Sequence, residues 1–263
     1  MSIEFLGVGS AFAAKNHQTN FIIHGTKSDV FVDFGMTGPR AIADKGIQPI
    51  DIECILPTHS HADHVGGIEM LALMNRYVGQ EFLGKPKLKM IIEQNYQRIL
   101  WDYTLRGGLE YNEENDQMKK LNFEDFFDVI RPKWKQHEPR EIFEVEYQGI
   151  NIEIFRTKHI PEQSADWESS FISFGIYLPD EKIFVSGDTR FDPELIEMYA
   201  HKSKIMFHDV QFFPGAVHAP LADLKMLDKS IKDKMYLIHY SDDFDKQDIS
   251  DFAGWASPET KYT

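Results

Sequence analysis

The chain of 263 residues has one cysteine, Cys54. A lone thiol cannot close an intramolecular disulfide, so the core has to hold the fold, and the composition suits a reducing cytoplasm. Cys54 sits in an apolar run and is expected to be a small buried core residue. No apolar run reaches the roughly 18 residues of a transmembrane helix. The opening MSIEFLGVGS has neither a basic n-region nor a long apolar h-region, so no secretory leader is expected. No Pro/Gly/Ser-rich linker and no simple repeat divides the chain, which points to one domain over residues 1–263. Positive charge is scarce as well: 28 Lys and Arg stand against 42 Asp and Glu, a net charge of −14. Nucleic-acid binding needs cations along the phosphates, so this balance weighs against a tRNA or DNA partner and favours a small substrate.

Against these absences stands Thr58–Gly67, THSHADHVGG, which holds His59, His61, Asp63 and His64. Asp51–Pro57 before it reads as a buried strand, and Ile68–Met74 after it has helical apolar spacing. The cluster therefore lies on a loop between strand and helix, where chemistry tends to reside. His59 and His61 flank one residue and can point the same way in an extended loop. Asp63 and His64 come as the chain turns and can face a second point. Two ligand pairs suggest two neighbouring metals.

The rest reads as alternating elements. Strands are expected at Ile3–Gly9, Phe21–His24 and Asp29–Asp33, then a helix through Pro39–Ala43. Lys87–Ile92 could be a strand and Glu93–Leu105 a helix broken by Arg106–Gly108. Glu110–Asp128 has seven acidic residues against two Lys, with Leu121, Phe123, Phe126 and Phe127 on an amphipathic helix whose aromatic stripe suits core or a subunit contact better than a ligand platform. Ile142–Tyr147 and Asn151–Phe155, joined by Gln148-Gly149, read as a hairpin. Strands follow at Ser170–Tyr177, Lys182–Ser186, Ile205–Asp209 and Met235–Ser241. Helices follow at Asp192–Tyr199, with Asp192 as N-cap and Pro193 at N1, and at Leu221–Ser230. Further ligand types then stand at strand ends: His159, Asp188 and His239. The two halves have similar make-up, strands followed by ligands. This fits an α/β chain arranged as a four-layer αβ/βα sandwich with the site along one edge.

His59-Ser60-His61-Ala62-Asp63-His64 resembles the H-x-H-x-D-H signature of the metallo-β-lactamase superfamily, and the element order around it is similar to the opening of that fold. The resemblance implies a first metal held by His59, His61 and His159, a second held by Asp63, His64 and His239, and Asp188 as the bridge. It also implies that Asp33 supports the metal loop from behind. All-N/O ligation makes Zn²⁺ the default for the two divalent ions, with Mn²⁺, Fe or Co²⁺ also suited. Such a pair acidifies water and offsets charge on a phosphate. Asp63 would be both a ligand and a partner for the attacking water. No metal-ligand cysteine matches that of true β-lactamases.

His208-Asp209 and His218 resemble a pair of elements in the ribonuclease Z-like phosphodiesterases, although Asp209 stands where glutamate is usual and Ala219 where serine is common. The resemblance implies catalytic roles for His208, Asp209 and His218, with His218 protonating the leaving oxygen and the acid orienting it. Residues 1–75 and 150–241 carry most of this likeness, and about 80–140 is a variable, aromatic and partly acidic insertion. No basic, glycine-rich arm for gripping tRNA is found. The overall pattern is similar to the anti-Pycsar proteins of phages and bacteria, including the short C-terminal stretch after His239. That resemblance implies a cytoplasmic phosphodiesterase (in the host cytoplasm if phage-encoded) for 3′,5′-cyclic mononucleotides such as cyclic CMP and cyclic UMP. It also implies a homodimer, with the aromatic segment near 96–134 as the expected contact. The rival readings are a tRNA 3′-end endonuclease, a thioesterase or lactonase of the same fold, and a non-enzymatic nucleotide-sequestering protein.

Overall fold

A computed structural model describes residues 1–115 and 118–263. Among these, one mixed sheet has the order β15-β1-β2-β3-β4-β5-β6. Its strands are β1 (Ser2–Gly7), β2 (Asn20–His24), β3 (Asp29–Val32), β4 (Cys54–Leu56), β5 (Leu88–Ile91), β6 (Phe127–Ile130) and β15 (Lys261–Tyr262). The second sheet has the order β14-β13-β12-β11-β10-β9-β8-β7. It comprises β7 (Lys133–Gln136), β8 (Ile142–Tyr147), β9 (Ile150–Arg156), β10 (Phe174–Leu178), β11 (Ile183–Val185), β12 (Ile205–Asp209), β13 (Met235–Ile238) and β14 (Gly254–Trp255).

Each sheet is antiparallel on one side and parallel on the other. The first turns parallel from β3 through β6 and the second from β11 through β14. In such sheets the loops at the carboxyl ends of parallel strands converge, and ligands gather there. The inner faces of the two sheets meet, as the Phe5 and Phe207 rings do at 4.9 Å between centroids. On the outer face of the second sheet, Tyr199 of helix Pro193–Ala200 packs on Phe155 and Phe184 at 4.6 and 5.1 Å. Helices Gly38–Asp44 and Ile68–Met74 bury their apolar faces in the same core as the first sheet. The result is the expected four-layer α/β sandwich. Among the described residues no helix is long and apolar enough to cross a membrane.

Local chemistry accounts for several elements. Gln148 and Gly149 both have positive φ, 53° and 89°, and join β8 to β9 as the hairpin turn anticipated from their types. Asp192 caps its helix by accepting Leu195 N–H at 3.2 Å, with Pro193 in the first turn. Cys54 is fully buried in β4, and burial pushes its thiol up to about 12.

Other expectations need correction. The helix that starts at Gln94 is not broken at Arg106–Gly108; it passes through a π-helical stretch, Trp101–Leu105, and continues as Arg106–Leu109. The missing side chain of Gly108 lets Glu69 approach, since a Cβ there would lie 2.0 Å from its carboxylate. The long helix over 110–128 reduces to Phe123–Phe126 followed directly by β6, while the part of that expectation at 116–117 lies outside the described residues. Leu121, Phe123, Phe126 and Phe127 are all core, the first of the two places, core or subunit contact, expected for such a stripe. Leu221–Ser230 is two short helices, Leu221–Leu224 and Lys229–Lys232.

Candidate metal centre

The metal loop is shaped before it meets any ligand. Asp33, at the end of β3, takes a left-handed conformation (φ 61°) that turns its carboxylate under the loop. Its oxygens accept Thr58 N–H at 2.7 Å, the Thr58 hydroxyl at 2.8 Å and His64 Nδ1 at 2.7 Å. The loop backbone is tied to the next residues: Phe34 N–H donates to His64 O at 2.7 Å and Gly67 N–H to Phe34 O at 2.9 Å. Gly35 fits against this turn because it has no side chain; a Cβ would sit 1.8 Å from Asp63 O.

These constraints aim the imidazoles. Asp33 holds Nδ1 of His64, the Thr58 oxygen lies 3.2 Å from Nδ1 of His59, and Val217 O accepts Nδ1–H of His159 at 2.8 Å. With each outer nitrogen held by oxygen, the Nε2 lone pairs point inward. His59 Nε2 and His159 Nε2 then face His61 Nδ1 at 3.1 and 3.2 Å. On the other side, Asp63 Oδ2 lies 3.3 Å from His64 Nε2 and 3.2 Å from His239 Nε2. Asp188, on the turn after β11, stands between the two sets. Its Oδ2 is 3.1 Å from His64 Nε2, 3.4 Å from His239 Nε2, 3.7 Å from His59 Nε2, and 3.9 Å from both His159 Nε2 and His218 Nδ1.

The seven residues expected as ligands thus converge as two groups, His59/His61/His159/Asp188 and Asp63/His64/His239/Asp188. The donor chemistry fits divalent cations. Asp188 Oδ2 and His64 Nε2 are buried and face one another without the alignment of a hydrogen bond, and neither has a hydrogen-bond partner elsewhere. Burial would lower the basicity of His64, but Asp188, Asp33 and Asp63 surround it and raise it well above the ordinary imidazole range. Burial would raise the Asp188 carboxyl, yet His239, His64 and His59 hold it well below the carboxylate range. His59 is pushed well below its usual range by burial and by His64. So many nitrogens around one buried carboxylate are an arrangement that cations would relieve in place of protons.

Asp209, at the end of β12, joins His218 to this centre. Its Oδ2 is 2.7 Å from His218 Nδ1 and accepts Thr189 N–H at 3.0 Å, and its Oδ1 lies 3.4 Å from His239 Nδ1. His208 is placed differently. Successive strand residues face opposite ways, and the buried His208 ring turns back to Asp209 O at 2.8 Å and joins none of the converging groups. His208 thus stands apart from the side chains that converge at the centre. Sequence reading also passed over the hydroxyls behind the centre. Thr157 Oγ1 donates to Asp188 O at 2.9 Å and lies 2.6 Å from Ser173 Oγ, while Ser186 Oγ accepts Asp209 N–H at 2.9 Å. Threonine and serine are too common for position alone to single these out.

An open cleft of about 510 Å³ adjoins the His59/His61 side, lined also by Ile99, Tyr103, Ile160, Phe171 and Ile172.

Comparison with known proteins agrees with this architecture. Residues 1–260 match the family model described as Anti-Pycsar protein Apyc1. The Anti-Pycsar protein Apyc1 of Paenibacillus harenae is 36% identical over 248 residues, covering 94% of this chain and 92% of that protein. The one from Bacillus phage BSP38 is 33% identical over 249 residues, covering 92% and 90%. Among solved structures, the metallo-β-lactamase fold protein YhfI from Bacillus subtilis matches with a TM-score of 0.69 at 13% identity, over 99% of this chain and 98% of its own. The short form of human tRNase Z (ELAC1) matches at 0.62 and 13%, over 98% and 96%. Identity that low carries the fold alone, and the fold is that of the metallo-β-lactamases. With nearly its whole length under one family model and relatives above 30% identity on either side of the phage–bacterium divide, the chain belongs to the Anti-Pycsar protein Apyc1 family.

Proposed function

We propose that this chain is a two-metal phosphodiesterase that opens 3′,5′-cyclic mononucleotides, cyclic CMP and cyclic UMP among them, to linear monophosphates, and so blunts a cyclic-nucleotide antiphage signal in the host cytoplasm. The observation that carries the reading is Asp188 Oδ2, buried, without a hydrogen-bond partner and within 3.9 Å of nitrogens from five histidines. His59, His61 and His159 would hold one cation and Asp63, His64 and His239 the other, with Asp188 between them. When bound, two such ions acidify water and offset the charge that builds on a phosphate under attack. All-N/O donors suit Zn²⁺ and leave Mn²⁺, Fe and Co²⁺ open.

The chain's own residues supply the remaining chemistry. An alkoxide leaves poorly, so a phosphodiesterase gains from a general acid, an effect of roughly 10²–10⁴-fold. His218 suits that role. Asp209 occupies its Nδ1, fixing the ring, and its side chain is 20% exposed, so the other nitrogen can reach a substrate oxygen. Asp63 stands beside both His64 and His239, where it can also orient the attacking water. The net charge of −14 favours a small anion held at the centre over a tRNA. For the homodimer, Tyr111 and Trp134, large aromatics of 96–134 that are exposed and lie outside the cleft, replace the buried phenylalanines as the contact.

The test is a product assay with Zn²⁺ or Mn²⁺ on cyclic mononucleotides, a tRNA precursor and a thioester, with and without chelator. Chelator-sensitive formation of linear monophosphates is expected. Intact cyclic nucleotides beside a cleaved tRNA precursor would move the assignment to an endonuclease. His64→Ala and Asp188→Ala should abolish hydrolysis, and wild-type turnover in either would reject the ligand assignment. His218→Ala should slow turnover while metal content, read by elemental analysis, stays unchanged.

A further inference from the structure

We propose that the cleft beside His59 and His61 seats the base of the nucleotide, and that the buried Arg156 is the positioning residue that shapes its wall. The proposal rests on the phosphodiesterase reading, which puts the phosphate at the histidine–aspartate centre. A mononucleotide held there by its phosphate must lay the rest of itself across the adjoining surface, and this cleft touches His59, Ser60 and His61 directly. One wall is the helix edge with Ile99 and Tyr103; the other is the segment with Ile160, Phe171 and Ile172. Phe171 is 65% and Tyr103 84% exposed, so two aromatic faces stand uncovered beside the centre.

The charge pattern narrows the occupant. Among the described residues Arg156 is the one arginine or lysine lining this cleft, and its guanidinium is turned to backbone and to Glu141. Its Nη2 donates to Ser170 O at 2.9 Å, to Trp167 O at 3.0 Å and to Phe171 O at 3.4 Å, while Nη1 lies 3.6 Å from the Glu141 carboxylate. The other charged lining group, Glu168, is acidic. Among the described residues, a second phosphate or a polyanion would meet here only a buried guanidinium already turned to carbonyls and a carboxylate. A flat, uncharged ring suits apolar and aromatic walls, and stacking is tolerant of which base it is.

Arg156 shapes the cleft because the segment has no regular structure of its own. Between the end of β9 at Arg156 and the start of β10 at Phe174 there is neither helix nor strand. Its backbone is held by backbone hydrogen bonds, Phe171 N–H to Ile160 O at 2.7 Å among them, and by two guanidinium groups: Arg156 on the three carbonyls named, and Arg190 on Glu162 O and Ser164 O at 2.5 and 2.6 Å. Arg156 is nine-tenths buried and holds the carbonyls of Trp167, Ser170 and Phe171, so together with the Phe171 N–H to Ile160 O bond it sets where the Phe171 ring stands. Lysine keeps the charge but lacks the longer, planar guanidinium that carries Nη2 to these carbonyls and Nη1 towards Glu141.

The experiment compares a cyclic mononucleotide with the base-free 3′,5′-cyclic phosphate of ribose, for wild type, Phe171→Ala, Phe171→Tyr and Arg156→Lys. Phe171→Ala should raise KM for the cyclic nucleotide roughly ten-fold, within the range for loss of one base–aromatic stack. It should leave kcat within about two-fold and leave the base-free substrate unaffected; Phe171→Tyr should restore KM. Arg156→Lys should reproduce the KM effect with metal content unchanged. Equal losses on both substrates would overturn the base seat, and an unchanged KM in both Phe171→Ala and Arg156→Lys would overturn it too. Because Arg156 is buried, Arg156→Lys could fail to fold; the exposed Phe171 then carries the test. Saturation-transfer NMR with 5′-CMP gives a readout free of turnover. Base protons should be saturated by wild type and lose that contact in Phe171→Ala, and saturation confined to the ribose would sink the proposal. A wild type that cleaves neither substrate would reject the phosphodiesterase reading, while the NMR arm would still decide the seat.

Discussion

Asp188 depends on more than its own carboxylate. Its backbone carbonyl is held by Thr157 Oγ1, a fully buried hydroxyl whose own position is fixed by Ser173. Thr157→Val keeps the shape and removes that donor. It should weaken metal binding roughly ten-fold, the low end for lost outer support of a metal site, as measured by chelator competition. It should also destabilise the protein by about 1–3 kcal/mol, because a buried carbonyl is left unpaired. Unchanged metal affinity would show that the turn holds Asp188 without help. At this scale the sequence was legible where ligands are neighbours, as in His59-Ser60-His61-Ala62-Asp63-His64. It was opaque where a role comes from across the fold: Thr157 and Asp188 are 31 residues apart. His208 shows the converse. Its place beside Asp209 suggested a shared role, and strand alternation separated them.

Among the elements, the turn at Asp33–Gly35 determines where the metal loop sits. Gly35→Ala would drive a methyl group into Asp63 O, backbone that cannot swing aside. A loss of about 1–3 kcal/mol is expected from overpacking, with a lower Tm and weaker metal binding together. Retention of both would mean the loop can shift freely. Gly107 lies in a helical turn with open space where a Cβ would be. Gly107→Ala should therefore stabilise by about 0.5–1 kcal/mol, read as a raised Tm. A fall would contradict a helix running through Arg106–Leu109. Glycine pairs usually end helices, which is why this one was read as broken; the packing of Glu69 against Gly108 outweighs that preference. The Gln148-Gly149 hairpin was readable because its turn demands residue types that tolerate positive φ. The strands at Lys133–Gln136, Gly254–Trp255 and Lys261–Tyr262 were not, since short edge pairings leave little periodicity.

The first sheet is completed at one edge by β15, and charge helps to hold it there. Glu4 on β1 is paired with Lys261 of β15 in the strand register, and their side chains lie 3.1 Å apart. Lys45 reaches Glu4 at 2.9 Å and Pro258 O at 2.7 Å. Burial alone would raise the Glu4 carboxyl, but Lys45, Lys261 and His24 lower it from 4.5 to about 2. A depressed carboxylate stabilises the folded state above its unfolded value and loses that contribution as pH falls through the folded one. Glu4→Gln should thus be less stable than wild type at pH 6, with the gap closing between about pH 4.5 and 2 by denaturant titration. A gap independent of pH would mean that packing, not charge, ties β15 to β1.

Much of this molecule could be read from the chain itself. A cluster of ligand types within one loop, strand-end histidines and aspartates, and apolar runs of strand and helix length are local patterns, and each is fixed by chemistry among near neighbours. They were enough for the sandwich and for the seven residues that converge at its edge. The tertiary structure decided what depends on distance across the fold. It buried the aromatic stripe of 121–127 in the core, turned His208 away from the centre, brought Thr157 and Ser173 behind Asp188, and set Arg156 under the segment that walls the cleft. Those positions follow from which surfaces pack together, and no spacing along the chain encodes a contact between residues that only the fold makes neighbours.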